Sequence, residues 1–111
     1  MRGDEAEEQA CTYLRAQGYR IVARNWRTRS GEIDIVARDR DVLVFVEVKA
    51  RADDRFGGPE GAVDRVKQQR MIRTAGAFLQ ATECELPARF DVVAIRPDGV
   101  HLIRDAFWVS D

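Results

Sequence analysis

Two charged residues, Glu47 and Lys49, follow an apolar run of the sequence and share one face of the strand predicted there. Residues 42–51 read VLVFVEVKAR, in which Glu47 and Lys49 follow a run of aliphatic and aromatic residues. Side chains of a strand alternate between its two faces, so Glu47 and Lys49 continue the face that carries Leu43 and Phe45. Burying a carboxylate costs several kcal/mol unless a partner or a metal ion compensates its charge. The segment therefore predicts a buried strand whose charged end has a compensating partner or a metal ion.

A further acid lies on the strand predicted to precede this one. EIDIVAR at 32–38 has the alternation of a strand, with Ile33 and Ile35 expected on one face and Asp34 on the other. A short polar link joins the two strands, so hairpin pairing is expected to bring Asp34 opposite the charged end of the next strand.

These residue types suit metal-assisted hydrolysis of a phosphodiester. Mg2+ prefers oxygen ligands and keeps several waters, so Asp34, Glu47 and the backbone carbonyl of Val48 would be enough to hold it. The ion would activate a water, and Lys49 would position or deprotonate that water. A structural salt-bridge cluster at a sheet edge accounts for the same residue types equally well.

The first predicted helix offers a third carboxylate. Residues 4–17 are rich in helix formers. Glu7 lies about 75° from the mean direction of the apolar side chains on the helical wheel, and Glu5 and Glu8 lie about twice as far. Those apolar side chains are Ala6, Ala10, Tyr13 and Leu14. Glu7 is thus the acid expected nearest the core, and three carboxylates with one lysine would repel one another without a divalent cation.

The remaining elements place these residues in one order: helix, three strands, helix, two strands. The first strand is predicted at 19–26, and short links make the first three strands antiparallel neighbours. FGGP at 56–59 predicts a loop. A long helix is predicted at 60–82, packed on more than one side because its apolar residues spread round the axis. The last two strands are predicted at 89–95 and 100–104.

Size and composition bound the class of protein. A chain of 111 residues, 45% hydrophobic and 33% charged, predicts one globular domain over residues 1–111. Its apolar runs are far shorter than the roughly 20 residues of a membrane helix, and no leader is visible, so we expect a cytoplasmic protein that does not enter a membrane. Cys11 and Cys84 lack CxxC spacing and are expected to be reduced, at least partly buried thiols.

Charge is segregated along the chain although the net charge is only -1. A polyanion would find basic residues in two places, Arg24, Arg27 and Arg29 near Trp26, and Lys67 with Arg70 on the long helix. The first set would grip a nucleic-acid backbone and the second would contact phosphates. Both sets are also compatible with an ordinary solvated surface.

Three further residues are interpreted as structural. Trp26 and Trp108 are expected to be packed aromatics. Asp91 shares a strand face with Arg89 and Val93, which favours an ion pair or a cap within the fold over metal ligation.

Motifs along nearly the whole chain resemble the YraN family of uncharacterised bacterial proteins, within the PD-(D/E)xK nuclease superfamily. The matching stretches are EExAxxYLxxxGYxIxARNWRxRxGEIDIVARD at 7–39, VFVEVKAR at 44–51, FGxPxxAVxxxK at 56–67 and RFDVVAI at 89–95. GEID followed by FVEVK carries most of the specificity. The chain is also similar to archaeal Holliday junction resolvases in having a glutamate on its first helix.

The resemblance implies a restriction-endonuclease-like α/β domain with a central mixed sheet flanked by helices, in the order αβββαββ. It implies an active-site set of Glu7, Asp34, Glu47 and Lys49, in which the three acids and the Val48 carbonyl organise Mg2+, with Mn2+ as a substitute. The expected activity is hydrolysis of branched or otherwise structured DNA, for which a homodimer would supply two active sites. The alternatives are a non-catalytic nucleic-acid-binding module in DNA repair, recombination or uptake, and a protein-interaction module.

Overall fold

A mixed sheet with one helix on each face forms the part of the chain that the computed structural model describes, residues 3–50 and 64–108. The elements follow the predicted order. They are α1 (Gly3–Ala16), β1 (Arg20–Thr28), β2 (Gly31–Asp39), β3 (Val42–Ala50), α2 (Arg65–Ala81), β4 (Ala88–Arg96) and β5 (Gly99–Phe107). The predicted small α/β domain with a mixed sheet and two helices is confirmed at this level.

The five strands lie in the sheet in chain order, β1-β2-β3-β4-β5. β1, β2 and β3 are antiparallel neighbours, as the short links between them predict, and β5 is antiparallel to β4. β3 and β4 are parallel. Parallel neighbours need a long crossover, and the chain segment that contains α2 supplies it.

α1 covers one face of the sheet. Its four buried residues, Ala6, Ala10, Cys11 and Leu14, recur at helical spacing and pack against side chains of the three central strands. Gly18, with φ of +94°, follows the helix end in the left-handed region that favours glycine. The Cys11 thiol is buried and that of Cys84 partly buried, and both are free, as predicted.

α2 packs on the other face of the sheet through a single stripe. Met71, Thr74, Ala75 and Phe78 are its buried residues, whereas Val66 is 59% exposed. The prediction that this helix packs on more than one side is therefore wrong for its described part, because only one apolar sheet face lies against it. The predicted FGGP loop at 56–59 and the first predicted residues of the helix, 60–63, lie outside the described residues.

The two tryptophans differ in their surroundings. Trp26 packs edge-on against Phe78 with ring centroids 5.1 Å apart, as predicted for a packed aromatic. Trp108 is 66% exposed, so the same prediction is wrong for this residue. It follows the last residue of β5, at the outer edge of the sheet, where it borders a groove instead of the core. No helix in the described ranges is long and apolar enough to span a membrane.

Candidate active site

The sheet forks where the predicted site residues lie. β2 pairs with β3 only as far as the Ile35–Val46 pair, while its pairing with β1 continues to Gly31. Beyond Val46, β3 stays paired with β4 as far as Ala50. The ends of β2 and β3 therefore part, and Asp34 is the first residue of β2 beyond the last pair.

The regular alternation of side chains along β2 breaks at this fork. Ile33 packs in the core on the α2 side and Ile35 packs in the core on the α1 side. The prediction that these two isoleucines share a face is therefore wrong, because strict alternation holds only while β2 follows β3. Asn25 of β1 lies between the residues paired with Ile33 and Ile35, and its φ of +53° places it in the left-handed region. Asparagine tolerates that region better than most residues.

The Asp34 carboxylate links β2 to β3 at the point where the two strands part. Its Oδ2 accepts a hydrogen bond of 2.8 Å from the backbone N–H of Val48, in place of a strand carbonyl. Burial and the negative charge of Glu47 raise the pKa of Asp34 to about 7, although the Val48 N–H favours the ionised form. Asp34 is thus a carboxyl group that titrates near neutral pH, a property common at functional sites.

Glu47 is the more deeply buried member of the pair, with 4% exposure. Its Oε1 lies 2.7 Å from Nζ of Lys67, which belongs to the first turn of α2. Burial lowers the pKa of the Lys67 ammonium, but the hydrogen bond to Glu47 and the charge of that carboxylate outweigh burial and raise it above its ordinary value. Contact of Lys67 with phosphate stays a prediction, and in the structure the Lys67 ammonium contacts Glu47.

Lys49 lies two residues beyond Glu47 on β3 and is half-buried. Its side chain lies close to that of Lys67. The two carboxylates of Asp34 and Glu47 therefore stand beside two ammonium groups. Counted with Glu7, three carboxylates face two ammonium groups, so the excess of negative charge is smaller than predicted because Lys67 joins the site.

Glu7 approaches the site from α1. Its side chain is 15% exposed, against 61% for Glu8, which confirms Glu7 as the acid nearer the core. Its Oε1 accepts a hydrogen bond of 2.8 Å from Nδ2 of Asn25 and lies 3.9 Å from the Arg24 guanidinium. Its charge contributes to the raised pKa of Asp34. In residues 3–50 and 64–108, no three Asp, Glu, His or Cys side chains are arranged as a ligand group for a metal ion.

The arginines predicted to contact nucleic acid lie in different environments. Arg24 donates a 2.8 Å hydrogen bond to Glu8, and Arg27 lies 3.4 Å from Glu32. Arg29 is exposed in the turn between β1 and β2. Arg70 is exposed on α2, one turn beyond Lys67. Of these arginines, Arg29 and Arg70 are exposed and form no ion pair with another described residue.

A cleft of about 290 Å3 opens between the forked strands and the first turns of α2. Its lining residues are Gly31, Glu32, Asp34, Glu47, Lys67, Arg70 and Met71. Gly31 has φ of +153°, and a Cβ added there would lie 3.4 Å from Oγ1 of Thr74. Side chains rarely adopt this φ, so the backbone conformation at the start of GEID favours glycine.

A signal for Lys67 does exist in the sequence. Lys67 precedes Met71, Thr74 and Phe78 at spacings of four, seven and eleven residues, so it extends the buried stripe of α2. Glu47 extends the buried face of β3 in the same way. A charged residue at the end of an apolar stripe on each of two elements that pack together predicts an ion pair between them.

The predicted ion pair of Asp91 is confirmed and lies away from this cleft. Asp91 is fully buried, and its Oδ1 accepts a 2.9 Å hydrogen bond from Nε of Arg89. Its Oδ2 accepts one of 2.9 Å from the Tyr19 hydroxyl. Burial and the bond to Asp91 raise the pKa of Tyr19 to about 12. The backbone N–H of Asp105 adds a further hydrogen bond, so Asp91 joins the link between α1 and β1 to β4 and β5.

The fold and site define a small α/β domain with a carboxylate–lysine cleft at a fork in its sheet. The sequence matches the uncharacterised protein family UPF0102, also called the YraN family, over residues 6–95, and the chain belongs to this family. A UPF0102 protein of Halorhodospira halophila is 51% identical over 106 residues, covering 96% of this chain and 86% of that protein. One of Symbiobacterium thermophilum is 50% identical over 111 residues, covering 95% and 94%.

Proposed function

We propose that this protein is a Mg2+-dependent endonuclease of the restriction-endonuclease-like class that hydrolyses phosphodiester bonds of structured DNA in the cytoplasm. The observation that carries the proposal is the pair of Asp34 and Glu47 at the sheet fork with Lys49 beside it. Deeply placed carboxylates cost free energy unless a partner or a cation compensates them, and carboxylates with a strongly raised pKa are common at functional sites.

The donor set at the fork fits a hard divalent cation. Asp34, Glu47 and the Val48 carbonyl offer oxygen ligands, and Mg2+ is commonly held by only one or two carboxylates together with waters and substrate phosphate. When bound, the ion would neutralise charge on the phosphate and lower the pKa of a water. Glu7 would add negative charge behind Asp34, and Asn25 holds its carboxylate in place.

In this proposal, Lys49 positions or deprotonates the attacking water. It extends from the same strand as Glu47, on the same face, so a water held near Glu47 would lie within its reach. The exposed Arg29 and Arg70 would contact the DNA backbone next to the cleft. Arg24 and Arg27 would support that surface through their ion pairs with Glu8 and Glu32.

A non-catalytic nucleic-acid-binding module is the second candidate, and one observation favours it. Lys67 pairs with Glu47 and Lys49 lies near it, so the chain's own residues compensate much of the negative charge of the cluster. In this candidate the cluster would only stabilise the fold, and the arginines would bind DNA. This module would bind DNA in a salt-sensitive manner without cutting it.

One experiment separates the two candidates. Purified protein is titrated with Mg2+ and then Mn2+ against labelled duplex, single-stranded, flapped and four-way-junction DNA, beside the variants Asp34→Ala and Lys49→Ala. An endonuclease cuts at least one substrate in the wild-type form only. A binding module shows equal binding by all three proteins and no cutting.

A further inference from the structure

We propose that Lys67 is a built-in counter-ion of the Asp34–Glu47 pair, and that its ammonium and a divalent cation bind Glu47 in mutual exclusion. The inference rests on the proposed function in taking this pair as a cation site. It adds a regulatory feature to that site, because cation binding would have to displace a side chain of α2.

The contact between Lys67 and Glu47 has the geometry of an occupied cation position. Nζ lies 2.7 Å from Oε1, and the Glu47 side chain is only 6% exposed. A magnesium ion would need the same kind of carboxylate oxygen at about 2.1 Å. With Glu47 so deeply enclosed, the cleft side of its carboxylate is the route by which either cation reaches it.

Charge also opposes simultaneous binding. Asp34, Glu47 and Glu7 carry three negative charges when ionised, and Lys49 and Lys67 carry two positive charges beside them. A divalent ion added to this group would leave an uncompensated positive charge in a partly buried site. Release of the Lys67 ammonium into solvent removes that excess.

Lys67 is placed so that its side chain can leave without unfolding α2. Its backbone N–H donates a 2.8 Å hydrogen bond to the side chain of Asp64, the N-cap of the helix. The side chain of Lys67 is 38% exposed, so the ammonium has access to water. Displacement therefore requires rotation of one side chain, while the cap keeps the first turn in place.

The test measures cation binding directly, independently of any cutting. Mn2+ binding to the wild type, Lys67→Met and Arg70→Met is followed by calorimetry at fixed pH and salt. Lys67→Met is expected to bind Mn2+ roughly 5- to 150-fold more tightly, the usual range of coupling between two ligands. Arg70→Met removes a positive charge from the same cleft lining without removing the contact to Glu47, so its affinity is expected to change by less than about threefold.

A second variant, Lys67→Gln, and a second measurement, thermal melting, test the inference if Lys67→Met does not fold. Lys67→Gln keeps a hydrogen-bond donor near Glu47 without the charge, and it is expected to strengthen Mn2+ binding in the same direction. In chelator, both Lys67 variants are expected to melt below the wild type, and Mn2+ is expected to raise their melting temperatures more than that of the wild type.

The possible outcomes distinguish this inference from the proposed function. Equal or weaker Mn2+ binding by both Lys67 variants, with clear binding by the wild type, overturns the counter-ion inference and leaves the proposed cation site standing. Binding by the Lys67 variants that exceeds wild-type binding supports the inference. Failure of every protein to bind Mn2+ overturns the inference and the cation site together.

Discussion

Asp34 and Val48 are joined by a 2.8 Å hydrogen bond at the point where β2 and β3 part. A carboxylate oxygen takes the place of the next strand carbonyl, so the bond both ends the pairing and fixes the acid. Val48 packs in the core on the α1 side, so alternation along β3 puts Glu47 and Lys49 on the α2 side of the sheet. The fork and the candidate site are therefore one structural feature.

Replacement of Asp34 by Asn is expected to stabilise the fold near neutral pH. The pKa of Asp34 is raised to about 7 by burial and by Glu47, above its ordinary 3.8. The native state thus holds a proton that the unfolded chain has lost, and it loses stability as pH rises from about 4 to about 7. Asp34→Asn should raise the free energy of unfolding by roughly 1–3 kcal/mol at about pH 8.

Chemical denaturation of the wild type and Asp34→Asn at both ends of this pH range measures that difference. The amide oxygen of Asn can still accept from the Val48 N–H, which makes the variant a close structural match. The gain should disappear below about pH 4, where both side chains are neutral. A loss of stability of equal size at both pH values would contradict the account.

Cation binding by the proposed site should depend on the same proton. A carboxyl group must be ionised to bind a metal, so Mn2+ binding releases the Asp34 proton below its pKa of about 7. Affinity should rise about tenfold per pH unit up to that value and then level off. Calorimetry in buffers of different ionisation enthalpy counts the released protons; the absence of proton release at about pH 6 would count against Asp34 as a ligand.

Much of this site follows from strand periodicity, and the remainder depends on tertiary packing. Alternation along β3 was enough to put Glu47 and Lys49 on one face, and the helical wheel was enough to select Glu7. The fork was not predictable in this way, because alternation assumes that β2 keeps its neighbour. The separation of Ile33 from Ile35 shows where that assumption fails.

Contacts between distant elements were the hardest to predict. Lys67 lies in the helix of the crossover that follows β3, and it contacts Glu47 of that strand. Whether a given lysine of α2 faces the cleft depends on the rotation of the helix about its axis. The arginines near Trp26 were similarly ambiguous, since ion pairs with Glu8 and Glu32 depend on how α1 and β2 lie against β1. Composition and charge runs do not carry that information.

The buried Asp91 should be essential to stability. Asp91→Ala leaves the Arg89 guanidinium and the Tyr19 hydroxyl without their acceptor, and breaking a buried ion pair typically costs about 3–5 kcal/mol. Urea denaturation measures the loss. The matched control is Asp98→Ala, which breaks the exposed 2.8 Å contact with His101 and should leave the unfolding midpoint nearly unchanged. Similar effects of the two substitutions would show that the buried network has no special importance.

The glycine at the start of β2 should resist substitution. Gly31→Ala forces a side chain onto φ of +153° and places Cβ 3.4 Å from Oγ1 of Thr74, with an expected cost of about 1–3 kcal/mol. Gly76→Ala is the control, since its Cβ would meet nothing within 4 Å and alanine favours helix, so stability should rise by up to about 1 kcal/mol. Thermal melts compare the two; a neutral Gly31→Ala would show that β2 and α2 have room to adjust.

The central claim is that the forked-strand carboxylates and Lys49 perform metal-dependent hydrolysis of DNA. The most direct measurement is the rate of Mg2+- or Mn2+-dependent cutting of a labelled four-way junction by the wild type, Lys49→Met and Arg40→Met, with folding checked by circular dichroism. Arg40 is exposed in the turn between β2 and β3, at the other end of those strands. The account predicts cutting by the wild type and Arg40→Met and a loss of at least about 100-fold in Lys49→Met. Cutting that survives in Lys49→Met, or an inactive wild type that still binds DNA, would contradict it.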